Sequence, residues 1–362
     1  MPTITRATAS LVDLEVETVR TDAVQSFLKQ ETIFVEIETS DGLVGTGYSY
    51  TIGTGGQAVL AMLRDHFVPQ LVGLDAAEIE GIWFRLFAST RATTVGAITS
   101  LALAAVDTAL WDLKCKRADE PLWKVAGGFR RTVPLYDTEG GWLHLSTDEL
   151  VRGALDSQAA GWHGIKLKVG KPTGREDRER LLAVREAVGP RMDIMVDANQ
   201  SMTAAEAIRR AKAFEDVDLF WFEEPLPADD VAGHVRLAEA TSIPVAVGES
   251  MYSVGQFRDY LQRGAASIVQ VDVARVGGIT PWLKVAHLAE SFNVSVCPHF
   301  LMELHVSLVA AIPNGRYVEH IPQLRAITTA EMAIENGHAL APQSAGLGIE
   351  WDRDAIADRT VA

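Results

Sequence analysis

The chain has 362 residues, of which 48% are hydrophobic and 22% are charged, and this composition excludes a largely disordered protein. Its 33 Lys and Arg residues against 48 Asp and Glu residues give a net charge of −15 at pH 7. Nucleic acid is therefore not expected as a partner, because phosphate backbones are bound by clustered Lys and Arg. The length allows two or three domains, or one large barrel with an added domain.

Nothing in the sequence predicts export or membrane insertion. The N-terminus, MPTITRATAS, has neither a basic segment nor an apolar run, and no apolar stretch approaches the roughly 20 residues that span a bilayer. Cys115 and Cys297 are too few and too far apart for a disulfide framework, which fits a reducing compartment. We predict a cytoplasmic protein in which Cys297 is a small buried thiol. A nucleophilic Cys297 beside His299 is the weaker alternative, because its flanks are typical of a strand.

The first part of the chain does not alternate regularly between strand and helix. Residues 3–17 and 31–39 alternate apolar and polar residues, as half-buried antiparallel strands do. The dipeptide Asp41-Gly42 supplies a hairpin turn to the next strand, LVGTGYSY. Helical patterns follow, of which the longest covers 99–117. These elements predict an α+β domain over residues 1–125.

From residue 133 the pattern changes to short apolar runs separated by amphipathic helical stretches. The eight runs are VPLYDT (133–138), GIKLKVG (164–170), DIMVDAN (193–199), LFWFEEP (219–225), PVAVGES (244–250), SIVQVDV (267–273), SVCPHF (295–300) and YVEHI (317–321). Each parallel crossover needs a helix-sized connection, so eight strands with seven helices predict a parallel barrel. We place this barrel at 126–321, followed by a C-terminal segment at 322–362 that breaks the period.

Ionisable residues stand at the C-terminal ends of these runs, where the active sites of such barrels lie. Lys166 and Lys168 are two residues apart on one strand and therefore share a face. Asp197, Glu223 and Glu249 end the next three runs, one βα unit apart. Three carboxylates at one mouth repel each other unless a cation neutralises them, and an all-oxygen set favours Mg²⁺ over Zn²⁺.

The series continues with Asp272, His299 and Glu319 at the ends of the last three runs. Each residue alone has an ordinary explanation, such as a helix N-cap, a lysine that reaches solvent along the barrel wall or a packed histidine. Six successive strands that end in metal-binding or acid–base side chains predict an active site instead.

Together these motifs resemble the enolase superfamily, specifically its mandelate racemase subgroup (the mandelate racemase/muconate lactonizing enzyme family). The motifs are KLK (166–168), VDAN (196–199), EEP (223–225), GES (248–250), VDVARVGGIT (271–280) and PHF (298–300). The resemblance covers essentially the whole chain. It implies an α/β fold with a modified TIM barrel, (β/α)7β, an N-terminal α+β capping domain and a C-terminal segment that returns to that domain.

The resemblance also implies a role for each residue of the series. Asp197, Glu223 and Glu249 correspond to the Mg²⁺ ligands. Lys168 corresponds to a base on one face of the substrate, with Lys166 near the substrate carboxylate. His299, oriented by Asp272, corresponds to an acid–base group on the opposite face.

The implied substrate contacts come from further positions. Glu319 corresponds to a carboxylic acid that donates a hydrogen bond to the substrate carboxylate when protonated, and Thr138 to a hydroxyl on the same carboxylate. Asn199 lies beside the metal ligands. Tyr48 belongs to the glycine-rich segment 45–56, which we predict to be a lid together with residues 20–30. A phosphate loop is not favoured for this segment, because no Lys-Ser/Thr follows and no nucleotide-fold βαβ unit surrounds it.

The shared step of the family is removal of the proton α to a carboxylate, which gives an enediolate and leaves several outcomes open. Reprotonation on the other face racemises or epimerises a 2-hydroxy acid, and loss of the β-hydroxyl dehydrates a sugar acid to a 2-keto-3-deoxy acid. Ring opening of an anhydro-sugar or lactone acid is a cycloisomerisation. The segment CPHFLMELHVSLVAAIP is similar to acid-sugar dehydratases and an anhydro-sugar-acid cycloisomerase, and polar lids suit a polyol. We therefore predict an acid-sugar dehydratase, with isomerase activity as the alternative, in a homo-oligomer of two to eight subunits.

Two other classes remain as alternatives. A barrel aldolase would use Lys168 as a Schiff base and would be indifferent to chelators. A ligand-binding barrel without catalysis would lack at least one base or carboxylate, and none is missing. We also expect Lys166 and burial to lower the pKa of Lys168, because both disfavour its charged form.

Overall fold

The computed structural model describes residues 2–16, 18–27 and 29–361. Four predicted positions lie outside the described residues. Glu17 ends a predicted strand, Leu28 belongs to a predicted lid, and Met1 and Ala362 are the outer limits of two predicted domains. Within the described ranges, no helix is long and apolar enough to cross a membrane.

The chain begins with an antiparallel sheet that carries helices on one side. Its first three strands are β1 (Ile4–Glu15), β2 (Lys29–Thr39) and β3 (Val44–Thr51). The predicted turn between β2 and β3 is present, and Gly42 there has a φ of 83°, a backbone conformation that favours glycine. The helices of this part are α1 (Gly56–Met62), α2 (Ile79–Ser89), α3 (Ala97–Ala118) and the short α4 (Leu122–Val125).

Helix α3 joins this first sheet to the rest of the molecule. It is apolar on nearly all sides because it is buried along most of its length. The Asp107 carboxylate accepts a hydrogen bond from the backbone N–H of Thr280 (2.9 Å), and the Trp111 indole N–H donates to the Thr280 hydroxyl (2.9 Å). These contacts hold the first sheet at a defined position against the second half of the chain.

The second half is the predicted barrel of parallel strands and helices. Its strands are β4 (Thr132–Asp137), β5 (Gly164–Lys168), β6 (Asp193–Asp197), β7 (Leu219–Glu223), β8 (Val245–Val247), β9 (Ile268–Val269), β10 (Ser295–Val296) and β11 (Val318–His320). The seven helices between them are α5 (Thr147–Ala159), α6 (Gly174–Val188), α7 (Ala204–Phe214), α8 (Val231–Ala240), α9 (Val254–Gln262), α10 (Ile279–Ser291) and α11 (Met302–Ala311). The fold is a (β/α)7β barrel with an N-terminal α+β cap, as predicted.

The strand order closes the barrel. Strands β4 to β10 are neighbours in sequence order, and β11 pairs in parallel with β4. Between β10 and β11, the backbone N–H of Val296 donates to Asn314 and the N–H of Arg316 donates back to Val296, both at 2.9 Å. The carboxyl ends of all eight strands therefore surround one mouth.

Local sequence signals explain where several of the helices begin. Helix α5 starts with a reciprocal capping box between Ser146 and Glu149, and the hydroxyls of Thr173, Thr203 and Ser253 cap α6, α7 and α9. Such caps satisfy backbone N–H groups that have no partner within the helix. The helices consequently start soon after each strand, and only a short loop is left over the mouth.

The last residues return to the first sheet. A hairpin of β12 (Ile334–Glu335) and β13 (His338–Leu340) pairs with β4, and helix α12 (Arg353–Arg359) leads into β14 (Thr360–Val361), which pairs antiparallel with β1. The ring of Trp351 packs edge-on against Phe34 and Tyr48.

Candidate active site

Three carboxylates converge at the mouth of the barrel. Asp197 and Glu223 are the final residues of β6 and β7 and stand opposite each other in register, and Glu249 follows β8 by two residues. One carboxylate oxygen from each lies within 4.8 Å of the other two, and all three side chains are buried. An all-oxygen set of this size fits a hard divalent cation such as Mg²⁺.

The backbone before Glu249 explains the glycine of the Gly-Glu-Ser motif. Gly248 has a φ of 149°, and a Cβ atom there would lie 2.8 Å from the backbone carbon of Gln270 on the next strand. A larger residue would push the two strands apart. Glycine at this position therefore lets the chain bring Glu249 to the mouth.

The charges of the carboxylates depend on one another. Burial and the charge of Asp197 raise the pKa of Glu223 to about 7. Burial also opposes the ionised form of Asp197, but the ammonium groups of Lys168 and Lys166 outweigh burial and hold its pKa below the usual value. A cation bound at the cluster would therefore favour the ionised form of Glu223.

Both lysines of β5 point to the mouth, as their spacing predicted. Lys166 Nζ lies 3.0 Å from Glu223 Oε1 and 2.8 Å from Glu319 Oε1, and Lys168 Nζ donates to Asp197 Oδ2. Burial favours the neutral form of Lys168, but the carboxylates of Asp197, Glu223 and Glu249 together outweigh burial and Lys166, so the pKa of Lys168 lies above the usual value. The expected lowering of this pKa is wrong for this arrangement, because the sequence did not reveal how close Asp197 lies.

His299 stands on the opposite side of the carboxylates, and its two ring nitrogens contact different acids. Nδ1 lies 2.9 Å from Asp272 Oδ2, and Nε2 lies 3.4 Å from Glu249 Oε2. Burial would lower the pKa of His299, but Glu249 and Asp272 together raise it. Burial likewise opposes the ionised form of Asp272, yet its contact with His299 holds the pKa at about 2. Asp272 is therefore ionised at neutral pH and favours the imidazolium form of His299.

Glu319 and Thr138 meet across the pairing of β11 with β4. The Thr138 hydroxyl donates to Glu319 Oε1 (2.7 Å), and the backbone N–H of Phe300 donates to Oε2 (2.9 Å). With Lys166 as a third partner, the pKa of Glu319 falls below its usual range although burial acts in the other direction. The protonated form of Glu319 that the resemblance implies is therefore disfavoured in this arrangement, because one ammonium and two further donors surround the carboxylate.

A cavity of about 390 Å³ lies above these groups. Of the predicted substrate contacts, Thr138 and Asn199 line it. The side-chain Oδ1 of Asn199 is buried without a hydrogen-bond partner among the described residues. Tyr48 is not among the lining residues and packs under Trp351, whereas Tyr50, two residues further along β3, lines the cavity. The tyrosine of β3 that reaches the cavity is therefore Tyr50 and not the predicted Tyr48.

Comparison with known proteins identifies the architecture. The family described as "Enolase C-terminal domain-like" matches residues 149–355, and the family "Mandelate racemase / muconate lactonizing enzyme, N-terminal domain" matches residues 5–127. The chain belongs to the mandelate racemase/muconate lactonizing enzyme family of the enolase superfamily. The sequence resemblance is confirmed.

Individual relatives of this family member are enzymes of sugar acids. It is 38% identical to the L-talarate/galactarate dehydratase of Salmonella typhimurium over 89% of this chain and 81% of that one. It is 37% identical to the 3,6-anhydro-alpha-L-galactonate cycloisomerase of Streptomyces coelicolor over 98% of both chains. The crystal structure of L-talarate dehydratase from Polaromonas sp. JS666, complexed with Mg and L-glucarate, superposes with a TM-score of 0.95 at 38% identity, covering 100% of this chain and 98% of that chain.

The cofactor of this protein is Mg²⁺. Magnesium is present in the similar solved structure, and the three buried carboxylates of this chain supply the oxygen ligands that it prefers. The prediction of a buried thiol at Cys297 is confirmed, and Cys115 is likewise free and buried. Burial raises the pKa of Cys297 to about 12, which excludes a thiolate nucleophile at neutral pH.

Sequence reasoning missed several residues of this site. Arg275 lines the cavity, donates to the backbone carbonyl of Glu249 (3.1 Å) and lies 3.4 Å from its carboxylate. The hydroxyl of Tyr50 donates to Asp272 Oδ2 (2.6 Å). Glu224 is buried beside the cluster with a φ of 36° and one carboxylate oxygen without a partner among the described residues. Arg275 and Tyr50 do not repeat with the strands, which was the signal that found the other residues. Glu224 directly follows Glu223 at the end of one strand, but the sequence assigned it no role.

Proposed function

We propose that the protein removes the proton α to the carboxylate of a sugar acid, with Mg²⁺, and dehydrates the acid to a 2-keto-3-deoxy acid. One observation carries this proposal: three buried carboxylates lie between an ammonium group on one side and an imidazole–carboxylate pair on the other. Asp197, Glu223 and Glu249 would hold the metal. Mg²⁺ bound there acts as a Lewis acid on a carboxylate oxygen of the substrate.

Lys168 acts as the base on one face of the substrate. Its ammonium group is held by Asp197, and a cation bound at the same carboxylate competes with this contact. Loss of the contact with Asp197 leaves burial and Lys166 as the main influences on Lys168, and both favour its neutral, basic form. A cation held by these carboxylates would therefore favour the neutral, basic form of Lys168.

His299 acts on the opposite face. The Asp272 carboxylate accepts the Nδ1 hydrogen and leaves Nε2 for the substrate. The raised pKa of His299 keeps a proton available for the β-hydroxyl, which leaves as water. Abstraction of the α-proton on one face and protonation of the leaving hydroxyl by His299 together give dehydration.

The substrate carboxylate is held by the groups around Glu319, at the end of β11. Lys166 Nζ and the Thr138 hydroxyl already share Glu319 Oε1 as partner, and both can turn to an anionic oxygen. Asn199, with its unpartnered Oδ1, supplies an acceptor for a substrate hydroxyl. The two donors, Lys166 and Thr138, stabilise the negative charge that develops on the substrate carboxylate when the α-proton leaves.

A second candidate is cycloisomerisation of an anhydro-sugar or lactone acid, or racemisation of a 2-hydroxy acid. The observation that favours cycloisomerisation is the near-complete match with the Streptomyces coelicolor cycloisomerase in both directions. The same two acid–base groups serve all three reactions, because the first step is shared. The three reactions differ in the atom that is protonated after the α-proton has left.

The test is a panel of sugar acids with one and two carboxylates, incubated with the Mg²⁺-loaded protein in D₂O. Dehydration predicts a 2-keto product that has lost one water, whereas cycloisomerisation predicts a product that has lost none and whose mass differs from that of the substrate only by incorporated deuterium. EDTA should abolish turnover, and Mg²⁺ should restore it. Turnover that survives EDTA, with borohydride trapping of substrate on Lys168, would establish the aldolase alternative instead.

We propose further that the protein works in the cytoplasm as a homo-oligomer. Two free buried cysteines support a reducing compartment. Exposed apolar side chains, including Phe84 and Phe129, support contacts between subunits.

We also retain the division into a cap over 1–125, a barrel over 126–321 and a returning segment over 322–362. The pairing of β14 with β1 supports the last of these.

A further inference from the structure

We propose that His305 is a positioning residue for the reaction, which holds the backbone beside His299 and the backbone beside Asp272 at fixed positions relative to each other. The inference rests on the proposed function and concerns the imidazole side of the same site. His305 lies in the first turn of α11, is fully buried and does not line the cavity. Its effect on the reaction therefore passes through other residues.

The acid–base pair needs support from outside the sheet, because neither member lies in a strand. Strand β9 ends at Val269, three residues before Asp272, and β10 ends at Val296, three residues before His299. Strand pairing therefore does not fix these two side chains as it fixes the lysines of β5. Position matters here, because a displacement of about 1 Å in a reacting group can lower a rate by about a hundredfold.

The two ring nitrogens of His305 bind the backbone of both loops. Nδ1 lies 3.1 Å from the carbonyl oxygen of Phe300, the residue that follows His299. The backbone N–H of Val273, the residue that follows Asp272, donates to Nε2 at 3.2 Å. One side chain is thus bonded directly beside both members of the acid–base pair.

These two partners determine the form of the His305 ring. A carbonyl oxygen only accepts hydrogen bonds and a backbone N–H only donates them, so Nδ1 carries the hydrogen and Nε2 carries none. Burial lowers the pKa of His305 to about 4, which keeps the ring neutral at neutral pH. Both nitrogens are therefore engaged, and neither is left to exchange a proton with a substrate.

The bond to Phe300 holds a peptide in an unfavourable conformation. Phe300 has a φ of 61°, in the left-handed region that residues with a side chain rarely adopt. Its N–H donates to Glu319 Oε2 (2.9 Å), and His305 binds its carbonyl. The Phe300 ring stacks on the His299 imidazole, with centroids 5.3 Å apart and planes 17° apart. Holding this peptide therefore holds the ring against which the imidazole packs.

The bond to Val273 holds the chain on one side of Asp272. On its other side, the carbonyl oxygen of Val271 accepts a hydrogen bond from the indole N–H of Trp282 (3.2 Å), which is also fully buried. The rings of Trp282 and His305 are neighbours, with centroids 6.2 Å apart. The backbone that carries Asp272 is thus bonded on both sides to buried aromatic side chains, and its carboxylate meets His299 at a defined place.

The test measures α-proton exchange on each face of the substrate separately. It uses the Mg²⁺-loaded protein, the acid of the panel that exchanges fastest and the epimer of that acid at the α-carbon. One epimer presents its α-hydrogen to His299 and the other presents it to Lys168. In His305→Phe, exchange at the His299 face should fall by at least about tenfold, whereas exchange at the Lys168 face should stay within about threefold. A histidine that only stabilised the fold would affect both faces alike.

Two further variants each keep one of the two hydrogen bonds. The amide nitrogen of His305→Asn can replace Nδ1 and donate to Phe300, and the amide oxygen of His305→Gln can replace Nε2 and accept from Val273. Both variants should lower exchange at the His299 face by less than His305→Phe does. If His305→Phe fails to fold, these two variants provide the same comparison of faces against the unchanged protein.

His234→Phe is the matched control. His234 lies in α8, is as fully buried as His305, and its Nδ1 contacts the carbonyl of Asp230 (2.9 Å), but it does not line the cavity or contact either loop of the acid–base pair. The variant loses a buried histidine in the same way. It should leave the ratio of the two exchange rates unchanged.

The outcomes separate the two proposals. Equal losses at both faces in the His305 variants, or unchanged exchange at the His299 face, overturn the inference and leave the proposed function intact. The same change of ratio in His234→Phe also overturns the inference. Absence of exchange with every acid in the unchanged protein overturns the proposed function and this inference with it.

Discussion

The two sides of the carboxylate cluster are built in different ways. On one side, Lys166 and Lys168 come from a single regular strand, and their common direction follows from its period of two. On the other side, His299 lies beyond a two-residue strand, and its support comes from Asp272 on another loop and from Tyr50 in the first sheet. The lysine side is determined locally, whereas the histidine side depends on contacts between distant parts of the chain.

The largest expected effects come from removing one acid–base group at a time. Lys168→Ala and His299→Asn should each lower turnover by at least about a thousandfold, because each deletes the group on one face. Each variant should still exchange the α-proton of the substrate epimer that presents its hydrogen to the remaining group. NMR detection of deuterium in both epimers measures this.

Two surface variants of α10 serve as controls for these changes. Lys284→Ala and His287→Asn delete the same functional groups at exposed positions, and both should turn over normally. If Lys168→Ala and His299→Asn retained exchange with both epimers, the assignment of the two faces would be wrong.

A smaller effect is expected when the support of the imidazole is altered. Asp272→Asn should lower kcat by about a hundredfold, because the amide no longer favours the required tautomer and the imidazolium form. Mg²⁺ affinity, measured by calorimetry, should stay within about threefold of the unchanged protein. Asp197→Asn is the matched variant that should lose Mg²⁺ binding. Loss of Mg²⁺ binding in Asp272→Asn would contradict the assignment of Asp272 to the support of His299 and not to the metal site.

The smallest effect is expected at Tyr50, the residue of the cap that contacts Asp272. Tyr50→Phe removes the hydroxyl that donates to Asp272 (2.6 Å) and should lower kcat by less than about tenfold. Tyr48→Phe is the comparison in the same strand, because its hydroxyl has no described partner and does not line the cavity. A larger loss for Tyr48→Phe than for Tyr50→Phe would restore the contact predicted from the sequence.

The fold was accessible from the sequence because its signals are periodic. Eight apolar runs separated by amphipathic stretches identified the barrel strands, and alternation identified the first hairpin. The metal carboxylates could be found for the same reason, since each lies at or just after the end of a strand, one βα unit from the next. Arg275 and Tyr50 obey no such period, so only their contacts in space reveal that they belong to the site.

The sequence by itself determined which side chains the strand ends present, because the alternation of a strand and the common direction of parallel strands leave little choice. Only the tertiary structure decided the charge of each group. Lys168 is held by Asp197 and Glu319 is held as a carboxylate by Lys166, and these states depend on distances of a few ångströms between residues far apart in the chain. Electrostatic energies change steeply over such distances, and no pattern along the sequence records them.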